Sequence, residues 1–297
     1  MIPEGPPDSP IVVAPMPTPF TQDDEVDYGA IERNTEKWLA TPLSGFVLNS
    51  ENGEEAFLDE AERIAIVERV AGIAKSEKLI VGGIDSPSVT DTLRTGDALV
   101  EAGADVLRIR IPRLTGNVRG YFEEVLPRCS VPVLVIHQPA PGMFAQTQTV
   151  GTPELLAEIG AMDNVFAYLA SGNIRFETVV RHLLPPDRGF WIGNGVLLLA
   201  GAAIGADGAC LMLANIAPAE CIDIISKGLT GDLAGARETH RRLVDTDWMI
   251  LGRGAAGIKV ALDLQGYEMS PPRRPSEPLS ADEVEELRRK MAAAGLV

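Results

Sequence analysis

The amino-acid sequence predicts an α/β protein, a TIM (β/α)8 barrel with additional C-terminal helices. Eight short apolar segments with the features of buried strands alternate with helical segments. Parallel strands need crossover connections, and 297 residues can hold eight strand–helix units in one closed barrel. No Gly-rich phosphate-binding motif follows the first strand, which disfavours an open dinucleotide-binding sheet.

The strand signals are apolar runs that end at glycine, proline or small polar residues. They cover residues 11–16, 44–49, 79–84, 105–112, 132–137, 165–169, 189–193 and 208–213. Amphipathic patterns predict helices over residues 27–39, 59–76, 89–102, 117–126, 153–160 and 174–184, and small residues at 201–206 favour close packing before the last strand.

Three further helical segments, 218–227, 233–251 and 283–294, follow the eighth strand and exceed what a barrel needs. The sequence therefore suggests a flexible Pro-rich tail over residues 1–10, a barrel over 11–216 and a helical region over 217–297 packed on the barrel.

The amino-acid composition limits the classes of partner that this protein is expected to bind. The net charge of −16 and the isoelectric point near 4.6 argue against nucleic acid and against an anionic membrane surface. A small anionic ligand in a locally basic pocket stays compatible with this total. The three isolated cysteines indicate reduced thiols, and neither a signal peptide nor a transmembrane run is evident, so we expect a cytoplasmic protein.

An ordered series of short motifs carries a resemblance. Its members are Thr18-Pro19-Phe20, Asn52-Gly53-Glu54, Ala102-Gly103-Ala104-Asp105 before a strand that ends in Pro112, Gly205-Ala206-Asp207-Gly208 before Asn215, and Arg274-Pro275 near the end. Each motif is weak alone, but the series resembles the dihydrodipicolinate synthase and N-acetylneuraminate lyase family from about Val12 to Leu287.

The resemblance implies class I aldolase chemistry. In that family a lysine at the end of strand six condenses with the keto group of pyruvate or a related acid, and the resulting iminium serves as an electron sink. A tyrosine at the end of strand five relays protons, and a Gly-Thr-Thr-Gly-Glu turn after strand two binds the carboxylate. The family also forms homodimers and homotetramers, so we expect one of these states.

This sequence departs from the family at each of those points. The lysine position falls at Tyr168 or Leu169, and no lysine stands between residues 166 and 173. His137 matches the strand-five tyrosine, whereas Glu51 and Asn52 match the two threonines. Neither Tyr168 nor Leu169 can form an imine, because an imine requires a primary amine.

Candidate site residues follow from strand ends and from the family positions. Glu51, His137 and Tyr168 are the candidate catalytic residues, with Glu51 and His137 as an acid–base pair if they face each other. For His137 and for Glu51 a structural role is about equally compatible with the pattern. The candidate substrate-binding residues are Asn52, Arg110, Arg113, Ser171 and Asn194. No cofactor is implied, and no His, Cys or Asp cluster has metal-ligand spacing.

Arg108 and Arg110 alternate along strand four and therefore share one face. Both faces of a barrel strand are buried, so these charges need partners. Two alternatives are open: pairing with structural acids, which we weight slightly higher, or binding an anionic ligand bidentately in the lumen.

Three functions remain compatible with the sequence. The first is a lyase-family enzyme that acts on a small keto acid or sugar acid by acid–base chemistry without an imine. The second is a barrel that binds a small anionic metabolite without catalysis. The third is a Schiff-base aldolase that uses a lysine placed elsewhere in the chain.

Overall fold

The computed structural model describes residues 9–75, 77–112, 116–138 and 151–297. Eight parallel strands form one closed barrel, in which β1 pairs with both β2 and β8. The strands are β1 (Ile11–Pro15), β2 (Gly45–Leu48), β3 (Leu79–Ile84), β4 (Val106–Arg110), β5 (Val133–His137), β6 (Val165–Ala170), β7 (Gly189–Ile192) and β8 (Gly208–Cys210). The predicted fold class is confirmed.

Side chains on the strands alternate between the lumen and the helix-facing side of the barrel. A buried cluster fills the lumen, and its members recur at every second position of several strands: Val13, Val47, Leu79, Val81, Val106, Leu134, Ile136, Ala167, Leu169, Trp191 and Cys210. The intervening strand residues belong to the larger core between the strands and the surrounding helices. This alternation decides which strand-end side chains reach the mouth of the barrel.

Most connecting helices begin at a side-chain cap, which explains where they start. The helices are α1 (Tyr28–Leu39), α2 (Glu60–Ala74), α3 (Val89–Glu101), α4 (Val118–Val125), α5 (Pro153–Gly160), α6 (Ile174–Leu183), α7 (Leu198–Ala203), α8 (Pro218–Leu229), α9 (Leu233–Leu264) and α10 (Ala281–Ala294). Asp59 before α2 forms a full capping box with Glu62.

Two segments differ from the sequence prediction. Strand β8 ends at Cys210, and the 3₁₀ turn Met212–Asn215 follows where a longer strand was predicted. Helix α9 continues to Leu264 instead of ending near residue 251, because the chain passes through a kink at Gly254 (φ 55°, ψ −135°) and resumes helical geometry.

The C-terminal helices pack on one another and on the barrel, with α9 against α8, α10 and the turn after β2. The division at residues 216 and 217 remains a proposal, and most of the predicted N-terminal tail lies outside the described residues. Within the described ranges no helix combines the length and the apolar character that crossing a bilayer requires.

Candidate active site at the barrel mouth

A cavity of about 860 Å³ opens at the carboxyl ends of the strands, where residues that follow different strands converge. Its polar lining includes Glu51, Asn52, Glu55, Asp85, Arg110, Gln138, Ser171 and Asn194. A volume of this size is typical of sites for small organic molecules. The cavity therefore brings together five of the eight candidate site residues.

Arg110 lies at the centre of the polar lining. Its guanidinium donates from Nη1 to Asp85 Oδ2 at 2.6 Å, and from Nη2 to Gln138 Oε1 at 2.8 Å and Glu51 Oε2 at 3.2 Å. The side chain is only 3% exposed, so these partners supply the compensation that a buried cation needs. Both terminal nitrogens of Arg110 are thus committed to groups of the protein itself.

Glu51 is held from two sides. Its Oε2 accepts hydrogen bonds from Arg110 and, at 2.7 Å, from Gln138 Nε2. Its Oε1 has no hydrogen-bond partner among the described residues, and the side chain is 40% exposed. The carboxylate is therefore fixed at one oxygen while the other is available to a ligand. Gln138 was not predicted from the sequence, although it directly follows the candidate His137.

Arg108 forms a second charged layer one step deeper in the lumen. It donates from Nη2 to Glu55 Oε2 at 3.1 Å, and Glu55 Oε1 lies 3.5 Å from Arg110. Of the two alternatives for the strand-four arginines, pairing with acids of the protein is the one that the structure shows.

His137 and Tyr168 lie on the helix-facing side of the barrel wall, outside the cavity lining. His137 Nδ1 is 2.7 Å from Glu177 Oε1, and Tyr168 donates its hydroxyl proton to Glu177 Oε2 at 2.9 Å. Burial, reinforced by the Glu177 charge, raises the pKa of Tyr168 well above its usual value. The sequence-based pairing of Glu51 with His137 is corrected here, since each side chain has a different partner.

The alternation that turns Tyr168 outward turns its neighbour Leu169 into the lumen. Leu169 is fully buried there, opposite Ile136 of β5 in the strand register. Between the two residues that the sequence left open, Leu169 is the one on the lumen face. No lysine occurs among the described residues that line the cavity.

The turn after β2 is anchored from the C-terminal region. Glu54 adopts a left-handed backbone conformation (φ 59°), its Oε1 lies 2.7 Å from Lys259 Nζ, and its Oε2 accepts from the Arg273 backbone at 2.8 Å. Lys259 is 1% exposed, and burial lowers the pKa of its amine. These contacts position Glu51 and Asn52, which belong to the same turn.

Neutral side chains complete the polar rim. Ser171 and Asn194 follow β6 and β7, and Gly193 leaves the space that Ser171 needs, since a Cβ there would lie 1.8 Å from Ser171 Oγ. Asn194 accepts from the Val196 backbone through Oδ1 at 3.1 Å, and its Nδ2 has no partner in the described part of the chain. The candidate Arg113 lies outside the described residues.

Behind this rim, α9 places Asp247 against the turn that follows Asn194. A Cβ at Gly195 would lie 2.5 Å from Asp247 Oδ2, so glycine is required for this approach. Burial raises the pKa of Asp247 to about 7. Across residues 9–75, 77–112, 116–138 and 151–297, no group of three or more His, Cys, Asp or Glu side chains is arranged to hold a metal ion.

Comparison with known proteins gives one consistent result. The sequence model of the dihydrodipicolinate synthetase family matches residues 9–294. The chain is 27% identical to 4-hydroxy-tetrahydrodipicolinate synthase of Archaeoglobus fulgidus, with 96% of this chain and 98% of the relative covered. It is 32% identical to the enzyme of the same name from Sorangium cellulosum, with 88% of both chains covered.

Solved structures show the same fold. The dihydrodipicolinate synthase of Cyanidioschyzon merolae, solved with lysine bound, superimposes with a TM-score of 0.88 at 21% identity and covers 98% of this chain and 99% of that one.

Proposed function

Because this chain belongs to the dihydrodipicolinate synthetase family, a family of lyases, we propose that it is a lyase-family enzyme that acts on a small keto acid or sugar acid by acid–base chemistry, without a lysine imine. The observation that carries this proposal is that Leu169 stands on the lumen face of β6, and of the two positions that the resemblance left open, Tyr168 and Leu169, we assign the family's lysine position to Leu169. A leucine side chain cannot condense with a carbonyl group.

We propose that none of the lysines of this chain supplies the missing amine. Lys259 is the one whose partner, Glu54, lines the cavity, but its amine is buried and engaged by the Glu54 carboxylate and by the Pro271 carbonyl at 3.2 Å. Lys78 is bonded to the carbonyls of Thr41 and Leu43, just before β2 and so at the opposite end of the barrel. Imine formation would require Lys259 to leave its buried ion pair.

Glu51 is the proposed general base. Arg110 and Gln138 fix its Oε2, which leaves Oε1 to take a proton from the carbon next to a ligand carbonyl, or from a ligand hydroxyl, and to return it later in the cycle. The amide groups of Asn52 and Asn194 and the hydroxyl of Ser171 are the proposed donors to the ligand carboxylate. Arg110 then acts as a positioning residue, because its terminal nitrogens are already occupied.

His137 and Tyr168 have no part in this scheme. Their shared partner Glu177 belongs to α6, so the three side chains fasten that helix to β5 and β6. We propose a structural role for both residues, in place of the catalytic role that strand position suggested.

Turnover assays test the proposal. Small keto acids and sugar acids that raise the melting temperature are tested for turnover with the native chain, with Glu51→Gln and with the control Glu60→Gln, an exposed residue outside the cavity. We expect Glu51→Gln to lower kcat by about 10²- to 10⁴-fold while Glu60→Gln has little effect. Ligands that bind without any turnover would contradict the catalytic part and favour a binding protein instead.

A further inference from the structure

The mouth cavity has apolar as well as polar lining residues. The ends of β3 to β7, together with Glu51 and Asn52, provide charged and amide groups, and further polar lining residues are Asn49, Glu54, Glu55, Arg63 and Ser276. The apolar residues come from the 3₁₀ turn Glu55–Phe57, the 3₁₀ turn after β8 and helix α9, and they are Ala56, Phe57, Met212, Leu251 and Ala255. A ligand that fills this cavity therefore meets apolar groups as well as polar ones.

Phe57 is the largest apolar side chain of the lining, and its backbone is fixed. Its N–H donates to Glu54 O at 2.8 Å, and its carbonyl accepts from Arg273 Nη1 at 2.8 Å. Arg273 is held in turn by both carboxylate oxygens of Glu62, each at 2.7 Å. Phe57 nevertheless remains 42% exposed, so a turn that is fixed by these contacts leaves an apolar residue of the cavity lining partly uncovered.

The kink in α9 brings further apolar surface to the same cavity. Gly254 lines the cavity with φ 55° and ψ −135°, a backbone conformation that side chains other than glycine rarely adopt. Leu251 before the kink and Ala255 after it both reach the lining. The two parts of α9 on either side of the kink therefore both contribute to the cavity lining.

From these apolar lining residues we infer an apolar subsite, formed by Phe57, Leu251 and Ala255, that binds an alkyl or aryl substituent of the ligand. The inference rests on the proposed function and specifies its substrate class: a 2-oxo acid, or a related hydroxy acid, with an apolar group on the carbon chain. A three-carbon acid held by the proposed carboxylate donors would leave most of the 860 Å³ cavity and the exposed part of Phe57 to water.

Calorimetric titration with three probes tests the subsite. Pyruvate carries the polar end alone, 2-oxo-4-phenylbutanoate adds the aryl group, and 4-phenylbutan-2-one keeps the aryl group but has a methyl in place of the carboxylate. For the native chain we expect 2-oxo-4-phenylbutanoate to bind at least about tenfold more tightly than pyruvate. Phe57→Ala should reduce this ratio to below about threefold, and Phe57→Leu should retain most of it.

Leu233→Ala is the matched control, because Leu233 is also 42% exposed but lies at the start of α9 outside the cavity lining. It should leave the ratio at the native value. Equal binding of the two acids by the native chain, or a ratio that Phe57→Ala does not change, would overturn the subsite and leave the proposed function standing.

Binding of the ketone distinguishes a failure of the apolar subsite from a failure of the proposed carboxylate substrate. If neither acid binds but the ketone binds and loses affinity in Phe57→Ala, the apolar subsite is supported and the proposed carboxylate substrate is wrong. If none of the three probes binds, the subsite is overturned together with the proposed substrate class.

Discussion

Replacing Arg110 by methionine removes the cation on which the polar side of the mouth is assembled. Arg110 is 3% exposed and donates to Asp85, Glu51 and Gln138 at 2.6 to 3.2 Å. Methionine fills a similar volume but removes the hydrogen bonds that Arg110 donates to Asp85, Glu51 and Gln138. We expect Arg110→Met to lower stability and to weaken the binding of any ligand that Glu51 contacts.

The expected loss in the free energy of unfolding follows from the burial of Arg110 and its partners. Removing one partner of a buried ion pair costs about 3–5 kcal/mol. Because the Glu51 and Asp85 side chains are 40% and 24% exposed, water can solvate them after the substitution, which favours the lower end, about 3 kcal/mol. Unfolding entropy scales with chain length, so for 297 residues this loss corresponds to a melting temperature lower by about 5 °C.

The assay is thermal unfolding of Arg110→Met beside Arg94→Met. Arg94 also faces two acids, Glu60 and Asp91, but it is 54% exposed on the surface. Exposed ion pairs contribute little, so the melting temperature of Arg94→Met should stay close to the native value. Equal shifts for the two variants, or a shift below about 1 °C for Arg110→Met, would refute the view that Arg110 organises the site.

Three further predictions concern the frame around the site. The Asp247 pKa of about 7 exceeds its value of about 4 in an unfolded chain, so the free energy of unfolding should fall by on the order of 4 kcal/mol from pH 4 to pH 7. Asp247→Asn should remove this fall, and its melting temperature should lie above that of the native chain at pH 8 but not at pH 4. Gly254→Ala should lower the unfolding free energy by about 1–3 kcal/mol in chemical denaturation, whereas Gly252→Ala, where a Cβ meets nothing within 4 Å, should raise it by up to about 1 kcal/mol. Light scattering should give a dimer or tetramer mass, and a monomer mass at every concentration would contradict the assembly implied by the family.

The barrel could be predicted from sequence because its signals are local and repeated. Each strand is an apolar run, and the caps Asp27, Asp59 and Ser88 mark where helices begin. The end of α9 could not be predicted in the same way. Gly252 and Gly254 are typical of a helix terminus, but tertiary packing carries the helix past the kink to Leu264.

The candidate site was predicted less completely, for a physical reason. In a parallel barrel both faces of a strand are buried, so β5 and β6 are apolar at nearly every position and give no alternation to show which side chain faces the lumen. Strand ends and family positions point to His137 and Tyr168, whereas the lumen register selects Gln138 and Leu169.

Strand β4 differs, because its two arginines alternate with apolar residues and so show which residues share a face. Arg108 and Arg110 could be placed on one face from their spacing alone. Their partners Glu55 and Asp85 come from other turns, and only the three-dimensional structure brings them together. For the same reason, sequence patterns could not predict the long-range hydrogen bonds from Arg110 and Gln138 that fix Glu51.

Borohydride trapping tests the central claim, catalysis without a lysine imine, most directly. The native chain is incubated with pyruvate and with longer 2-oxo acids, reduced with borohydride, and weighed intact by mass spectrometry. We expect no added mass, because Leu169 stands on the lumen face of β6 and Lys259 is buried against Glu54. A stoichiometric mass increase that maps to any lysine, with Lys259 the first to inspect, would contradict it and identify the protein as a Schiff-base aldolase.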